Sequence, residues 1–171
     1  SYMGFRLRLQ ETLEGAADVI LKVGREFGEM FGRGYDYLLW QYRTNGADVI
    51  LLTMGSLANE ASLAADQLRK KGHNAGVVAL RVFRPFPAEE LRRALSNTKH
   101  LVIFDKNISY GNEGATCTET KAALFESGLR PAITNYIVGL GGKNVSATDL
   151  EEATLKALEQ KGQIDRPHWL G

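Results

Sequence analysis

One cysteine, four prolines and an almost even charge balance set the first limits on this chain of 171 residues. The lone thiol, Cys117, cannot close an internal disulfide and cannot build a four-cysteine zinc or iron–sulfur site. With 21 Lys+Arg against 20 Asp+Glu the formal net charge is +1, and the signs are interspersed. Nucleic acid and anionic membrane both require a concentrated basic face, so neither is an expected partner. Apolar runs stop far short of the ~20 residues that span a bilayer, and the opening residues lack the apolar core of a secretion signal. The expected setting is the reducing cytoplasm. The sequence opens Ser1-Tyr2-Met3 without an initiator methionine, which reads as an excerpt of a longer polypeptide.

What is present suffices for a core, since 44% of the residues are hydrophobic and a chain of this length buries about 70% of its unfolded surface. From residue 5 to about 43 the texture is helical. Leu7, Leu9, Leu13, Ala16, Ala17, Ile20, Leu21, Val23, Phe27, Met30 and Phe31 recur at mixed three- and four-residue spacings, with Arg6, Arg8, Glu11, Glu14, Lys22, Arg25, Glu26 and Glu29 between them. One long amphipathic helix is expected, with Gly15 and Gly24 as points of interruption. Gly32-Arg33-Gly34 should end it, and Tyr35, Tyr37, Trp40 and Tyr42 then form an aromatic connector suited to packing against a neighbour.

From Ala47 onward, strand and helix segments alternate. Asp48 to Met54 is a continuous apolar run of the kind a strand covered on both faces shows, and Gly55-Ser56 turns it into a helix from Leu57 to Lys71, stopped at Gly72. Val77 to Phe83 reads as the second strand, broken by Arg84-Pro85-Phe86-Pro87, with Pro87 in the first turn of a helix to about Ser96. His100 to Asp105 is the third strand, followed by a polar loop, Lys106 to Glu113, and a helix from about Gly114 to Glu126. Ala132 to Val138 is the fourth strand. After the turn Gly139-Leu140-Gly141-Gly142, the segment Ser146 to Asp149 resembles a capping box and opens a helix to about Lys161. The tail from Ile164 to Gly171, with Pro167 and Trp169, shows no period. The fold class predicted is α/β: an open, doubly wound, mostly parallel sheet with helices on both faces, preceded by the long helix. Ligands of such sheets sit beyond the carboxyl ends of the strands, so the turns at Gly55, Arg84, Lys106 to Gly114 and Gly139 to Asn144 are the places to look.

None of these turns carries a complete chemical motif. The first reads Gly-Ser-Leu-Ala-Asn-Glu, lacking both the dinucleotide glycine triplet and the Walker lysine, so Ser56 is expected to be a helix cap. The Gly139 to Asn144 loop has glycines and Lys143, an imaginable anion nest, but reads better as a turn needing left-handed backbone. Nothing in the spacing of Asp105 and Glu113 shows the burial that acid–base work needs, and solvated loop charges are expected there. Cys117 at a helix start could in principle ionise, yet no histidine is placed as its base: His73, His100 and His168 fall in a turn, at a strand start and in the tail. Arg81 and Arg84 could clamp an anion, but an ion pair across a subunit boundary suits a chain without an acid–base set better. The expectation is no catalytic, cofactor-binding or metal-binding residue in the chain.

Four segments in order carry a resemblance: Asp48 to Ser56 (Asp-Val-Ile-Leu-Leu-Thr-Met-Gly-Ser), Arg81 to Pro87 (Arg-Val-Phe-Arg-Pro-Phe-Pro), Phe104 to Gly114 (Phe-Asp-Lys-Asn-Ile-Ser-Tyr-Gly-Asn-Glu-Gly) and Gly139 to Val145 (Gly-Leu-Gly-Gly-Lys-Asn-Val). Residues 47 to 160 resemble the second domain of pyruvate:ferredoxin oxidoreductase and related 2-oxoacid:ferredoxin oxidoreductases, found in the alpha subunit of multi-subunit forms and similar in fold to the carboxyl-terminal domain of transketolase. The resemblance implies three parts: residues 1–46 as helix and connector from a preceding domain, 47–161 as the transketolase-like domain, and 162–171 as a tail. It implies a complex that oxidatively decarboxylates a 2-oxoacid with coenzyme A to acyl-CoA, CO₂ and reduced ferredoxin. Its thiamine diphosphate, Mg²⁺ and [4Fe-4S] clusters are implied to sit in the preceding domain and in other subunits, named beta, gamma and delta. The matching residues Gly55, Ser56, Arg84, Pro85, Pro87, Asp105, Gly111, Gly114, Gly141 and Gly142 are turn-formers and a few polar groups, and no catalytic role is carried over to them. Pyruvate leads as substrate because it serves the commonest members, with 2-oxoisovalerate, 2-oxoglutarate and oxalate as alternatives. Two other readings compete: a stand-alone phosphate- or nucleotide-binding module, and a dimerisation helix with no enzymatic context.

Overall fold

A computed structural model of the chain describes residues 1–34, 37–125, 127–160 and 166–171. Helix α1 (Tyr2–Phe31) runs 30 residues without a break. The interruption expected at Gly15 or Gly24 does not occur, because a helix tolerates an isolated glycine at a cost of only about 1 kcal/mol. Ser1 caps its start, its Oγ accepting from the Gly4 amide at 3.2 Å, and Gly32 ends it in left-handed backbone, φ 65°.

Six strands follow in one sheet. They are β1 (Leu39–Tyr42), β2 (Val49–Met54), β3 (Ala75–Leu80), β4 (His100–Asp105), β5 (Ala132–Val138) and β6 (His168–Leu170), ordered β1-β3-β2-β4-β5-β6. β1 lies antiparallel to β3 and every other pairing is parallel. Between them run α2 (Leu57–Lys70), α3 (Ala88–Ala94), α4 (Ala115–Phe125) and α5 (Ala147–Glu159). The expected open α/β architecture with helices on both faces is therefore observed.

Successive strand residues point to opposite faces, which explains why β2 shows no polar alternation. Val49 and Leu51 join Val77, Val102, Phe104 and Tyr136 beneath α2 and α5, while Ile50 and Leu52 join Val78, Leu101 and Ile103 beneath α3 and α4. Each such fully buried aliphatic side chain contributes roughly 2 kcal/mol of transfer free energy.

Several expectations are corrected. The aromatic connector is partly a strand: residues 39 to 42 pair with β3, and the Tyr42 hydroxyl donates to Asp66 of α2 at 3.1 Å. The tail also supplies a strand, β6, with His168 opposite Tyr136 and Leu170 opposite Val138. The second expected strand lies earlier than Val77 to Phe83, because parallel register sets Ala75 against Val49, and it stops at Leu80, where the amides of Arg81 and Val82 both turn to the Leu38 carbonyl. Pro87 precedes α3 rather than standing within it, and α3 ends before Ser96. The expectations placed on Tyr35, Glu126, Lys161 and Ile164 fall outside the described residues.

Candidate functional site: the strand-end turns

The parallel strands β2 to β5 end on one rim, where the sequence places its four candidate turns. At the end of β4, Asp105 is 1% exposed. Its carboxylate accepts from the amides of Thr116 at 3.1 Å and Cys117 at 3.2 Å, and from the side-chain amides of Asn107 at 3.1 Å and Asn135 at 3.0 Å. The free amides and positive dipole end of α4, which in many α/β proteins face a bound anion, here face a carboxylate of the same chain. Asn135, in the middle of β5, completes the arrangement: its Oδ1 accepts from the Gly114 amide at 3.0 Å and its Nδ2 also donates to the Ile103 carbonyl. Asn107 Oδ1 accepts from the Ala115 amide at 2.8 Å. A buried charge is tolerated when donors surround it in this way.

The amino end of α5 is closed by the same means. Ser146 Oγ accepts from the Asp149 amide at 3.2 Å, and the Asp149 carboxylate accepts from the Ser146 amide at 2.8 Å, completing the capping box read from the sequence. Those bonds from Ser146 hold the Asp149 carboxyl below the usual carboxylate range, and the charge of Lys143 adds to the effect. Glu60 reaches over from α2 to accept from the Ala147 amide at 2.9 Å. Gly139 and Gly141 take left-handed backbone at φ 64° and 65°, as the turn reading requires. Ser56 is the N-cap residue of α2, as expected, but its side chain makes no cap bond.

Cys117 is buried, and its thiol donates to Glu113 Oε2 at 3.4 Å. Burial, then the negative charge of Glu113, pushes its ionisation far above that of an ordinary thiol. Glu113 is itself paired with Lys121 at 2.5 Å. A histidine base is not among the partners of this thiol: His100 begins β4 and His168 stacks on Tyr136 with centroids 5.0 Å apart. Arg84 pairs with Glu119 of α4 and lies over the Phe83 ring, 4.4 Å from its centroid, so the ion pair expected across a subunit boundary is made within the chain. Among the described residues, no three of His, Cys, Asp and Glu gather in a way that could hold a metal ion, and no helix is long and apolar enough to cross a membrane. Sequence reading overlooked Asn135, Asn107 and Glu60. The available signal was an asparagine at the centre of an otherwise apolar interior strand.

The chain is similar in fold to a split-gene transketolase over 66% of this chain and 40% of that one, with a TM-score of 0.53 at 23% identity. The 2-oxoglutarate:ferredoxin oxidoreductase of Magnetococcus marinus matches over 66% of this chain and 18% of that chain, with a TM-score of 0.50 and 16% identity. Both likenesses concern the fold. Residues 47–150 match the family model of the pyruvate:ferredoxin oxidoreductase core domain II, and the chain belongs to that family. It is 41% identical over 167 residues to the ketoisovalerate oxidoreductase subunit VorA of Pyrococcus abyssi, covering 96% of this chain and 42% of that protein. It is 39% identical over 173 residues to the pyruvate synthase subunit PorA of the same organism, covering 99% and 44%. The chain therefore spans less than half the length of these curated relatives.

Proposed function

We propose that this chain is a non-catalytic assembly domain of a 2-oxoacid:ferredoxin oxidoreductase alpha subunit, whose complex oxidatively decarboxylates a 2-oxoacid with coenzyme A to acyl-CoA, CO₂ and reduced ferredoxin in the cytoplasm. Residues 47–161 form the transketolase-like domain, residues 1–46 carry over from a preceding domain, and residues 162–171 are a tail; the two flanking segments lend β1 and β6 to the sheet. Pyruvate is the leading substrate. The similarity to VorA supports a 2-oxoisovalerate enzyme as the second reading, since the two relatives differ by only 41% against 39% identity.

The observation that carries this reading is the closure of the amino ends of α4 and α5 by carboxylates of the chain itself, Asp105, Asp149 and Glu60. A phosphate or diphosphate meeting those ends would face negative charge in place of free amides. The residues here do not fit the family's cofactors either. The single thiol is buried and resists ionisation, so it is unsuited to an iron–sulfur cluster, and the buried carboxylate is already saturated by amides. Thiamine diphosphate, Mg²⁺ and [4Fe-4S] clusters accordingly belong to other parts of the complex, with beta, gamma and delta subunits as partners and ferredoxin and coenzyme A engaged by the whole. Calorimetric titration of the 171-residue chain with thiamine diphosphate and Mg²⁺, coenzyme A or NAD should give no binding tighter than millimolar. Micromolar binding of any of them would overturn the proposal.

A further inference from the structure

We propose that the groove between α4 and the β5–β6 edge of the sheet docks an amphipathic helix with acidic margins, carried by another chain of the complex. This rests on the reading given under Proposed function and names the chemistry of one partner. Alternation along β5 puts Ile133, Asn135 and Ile137 on one face. Asn135 bonds the Gly114 amide at the amino end of α4, so this is the α4 face. Trp169 of β6 stands opposite Ile137 and shares that face. Here α3 lies against β1 and α4 against β4. Among the described residues, β5 and β6 have no helix of their own on this face, and Trp169 is 63% exposed. Two strands are about 10 Å wide, the diameter of one helix.

Exposed aromatic residues mark both ends of the groove. At the carboxyl rim Tyr110, 88% exposed, and Trp169 border a cleft of about 420 Å³ with Arg166. At the other end Phe125, 75% exposed, borders a second cleft of about 470 Å³ with Leu129, Arg130 and Ile133. Tyr, Trp and Arg are the residue types that carry most of the binding energy in protein interfaces. The 11 residues of α4 lie between the clefts and span about 16 Å. Side chains 11 positions apart return to the same side of a helix after about three turns, so a three-turn helix laid beside α4 reaches both clefts from one face. Charge selects its margins. The one carboxylate among the described residues lining either cleft, Glu113, is paired with Lys121. Arg130 is oriented by the Leu124 and Phe125 carbonyls, and neither it nor Arg166 meets a carboxylate among the described residues. Acidic residues along the incoming helix supply partners for these two arginines. The source is a separate chain because α1 leads into the sheet at β1, the opposite edge, about 24 Å from β6.

The test uses the full alpha subunit in its complex, with the photoreactive residue p-benzoylphenylalanine in place of Trp169 or Phe125, one at each end of the groove. The control position is Leu63, exposed on α2 at the opposite face of the sheet. Both groove positions should cross-link at least tenfold more than the control to a peptide of another chain, one with apolar residues at three- and four-residue steps and Asp or Glu beside them. Cross-links within the alpha subunit, to a second alpha subunit, to a peptide without that pattern, or at the level of the control would overturn the inference. As a second measure, Arg166→Glu should lower the cross-linking yield from position 125 at least fivefold, while Arg93→Glu on exposed α3 leaves it within twofold. An equal effect of the two reversals would also overturn it. A complex that fails these tests but still oxidises a 2-oxoacid leaves the assembly reading standing, while a purified complex with no 2-oxoacid oxidation refutes that reading itself.

Discussion

Gly114 can have no side chain because Asp105 occupies its place: a Cβ on Gly114 would overlap the Asp105 carboxylate. The two residues lie at opposite ends of a loop, and their close approach brings the amino end of α4 onto the carboxylate that closes it. Replacing Gly114 by Ala should destabilise the chain by about 2 kcal/mol through forced displacement of a buried charged group. Asp105→Ala should cost about 3 kcal/mol, since it strands two amides and the Asn135 side chain. Urea unfolding followed by circular dichroism measures both, and a loss under 1 kcal/mol for Asp105→Ala would contradict the account given for this site.

Cys117 should be inert to thiol reagents at pH 8 in the folded chain and reactive after unfolding. Its folded ionisation lies above that of the unfolded thiol, near 8.5, so its contribution is fully present below that pH and is lost as pH rises further. Between pH 8.5 and 10, stability should fall by up to about 1 kcal/mol per pH unit more steeply in the native sequence than in Cys117→Ala. Parallel unfolding curves at the two pH values compare the slopes.

The cap on α5 makes a separate prediction. Ser146→Ala should cost about 1 kcal/mol, the usual cost of losing an amino-terminal cap. Asp149 is held below its unfolded value, so its contribution is present at neutral pH and disappears as pH falls below about 4. The difference between Ser146→Ala and the native chain should therefore shrink in acid, as read from thermal midpoints at pH 7 and pH 3.

Arg84 and Glu119 are both partly exposed. Glu119→Gln should cost under about 1 kcal/mol, and the loss should vanish in 1 M salt. A large, salt-independent loss would show that the pair does more than join the β3 turn to α4.

Much of this architecture was legible because strand and helix obey different periods. β4 and β5 are observed with the bounds read from sequence, since largely apolar runs between turn residues admit few alternatives. β1 was hidden: four residues with Trp40 and Tyr42 half-buried look like a connector, and only pairing with β3 defines them. β6 is three residues long and is held by the stacking of His168 on Tyr136 and by Leu170. The carboxylate closure of α4 was legible in its parts, Asp105 and Gly114, but its assembly depends on Asn135 from a strand thirty residues away, a relation no local pattern displays.

The reversed direction of β1 fixes where anything upstream arrives. Leu39 stands opposite Leu80, the last residue of β3, so the polypeptide enters the sheet at the rim that bears Gly55 and Arg81. Had this strand run with its neighbours, the incoming helix would have been delivered to the far floor of the sheet. The single antiparallel pairing thus acts as a compass, pointing the start of β1 to the mouth of the domain.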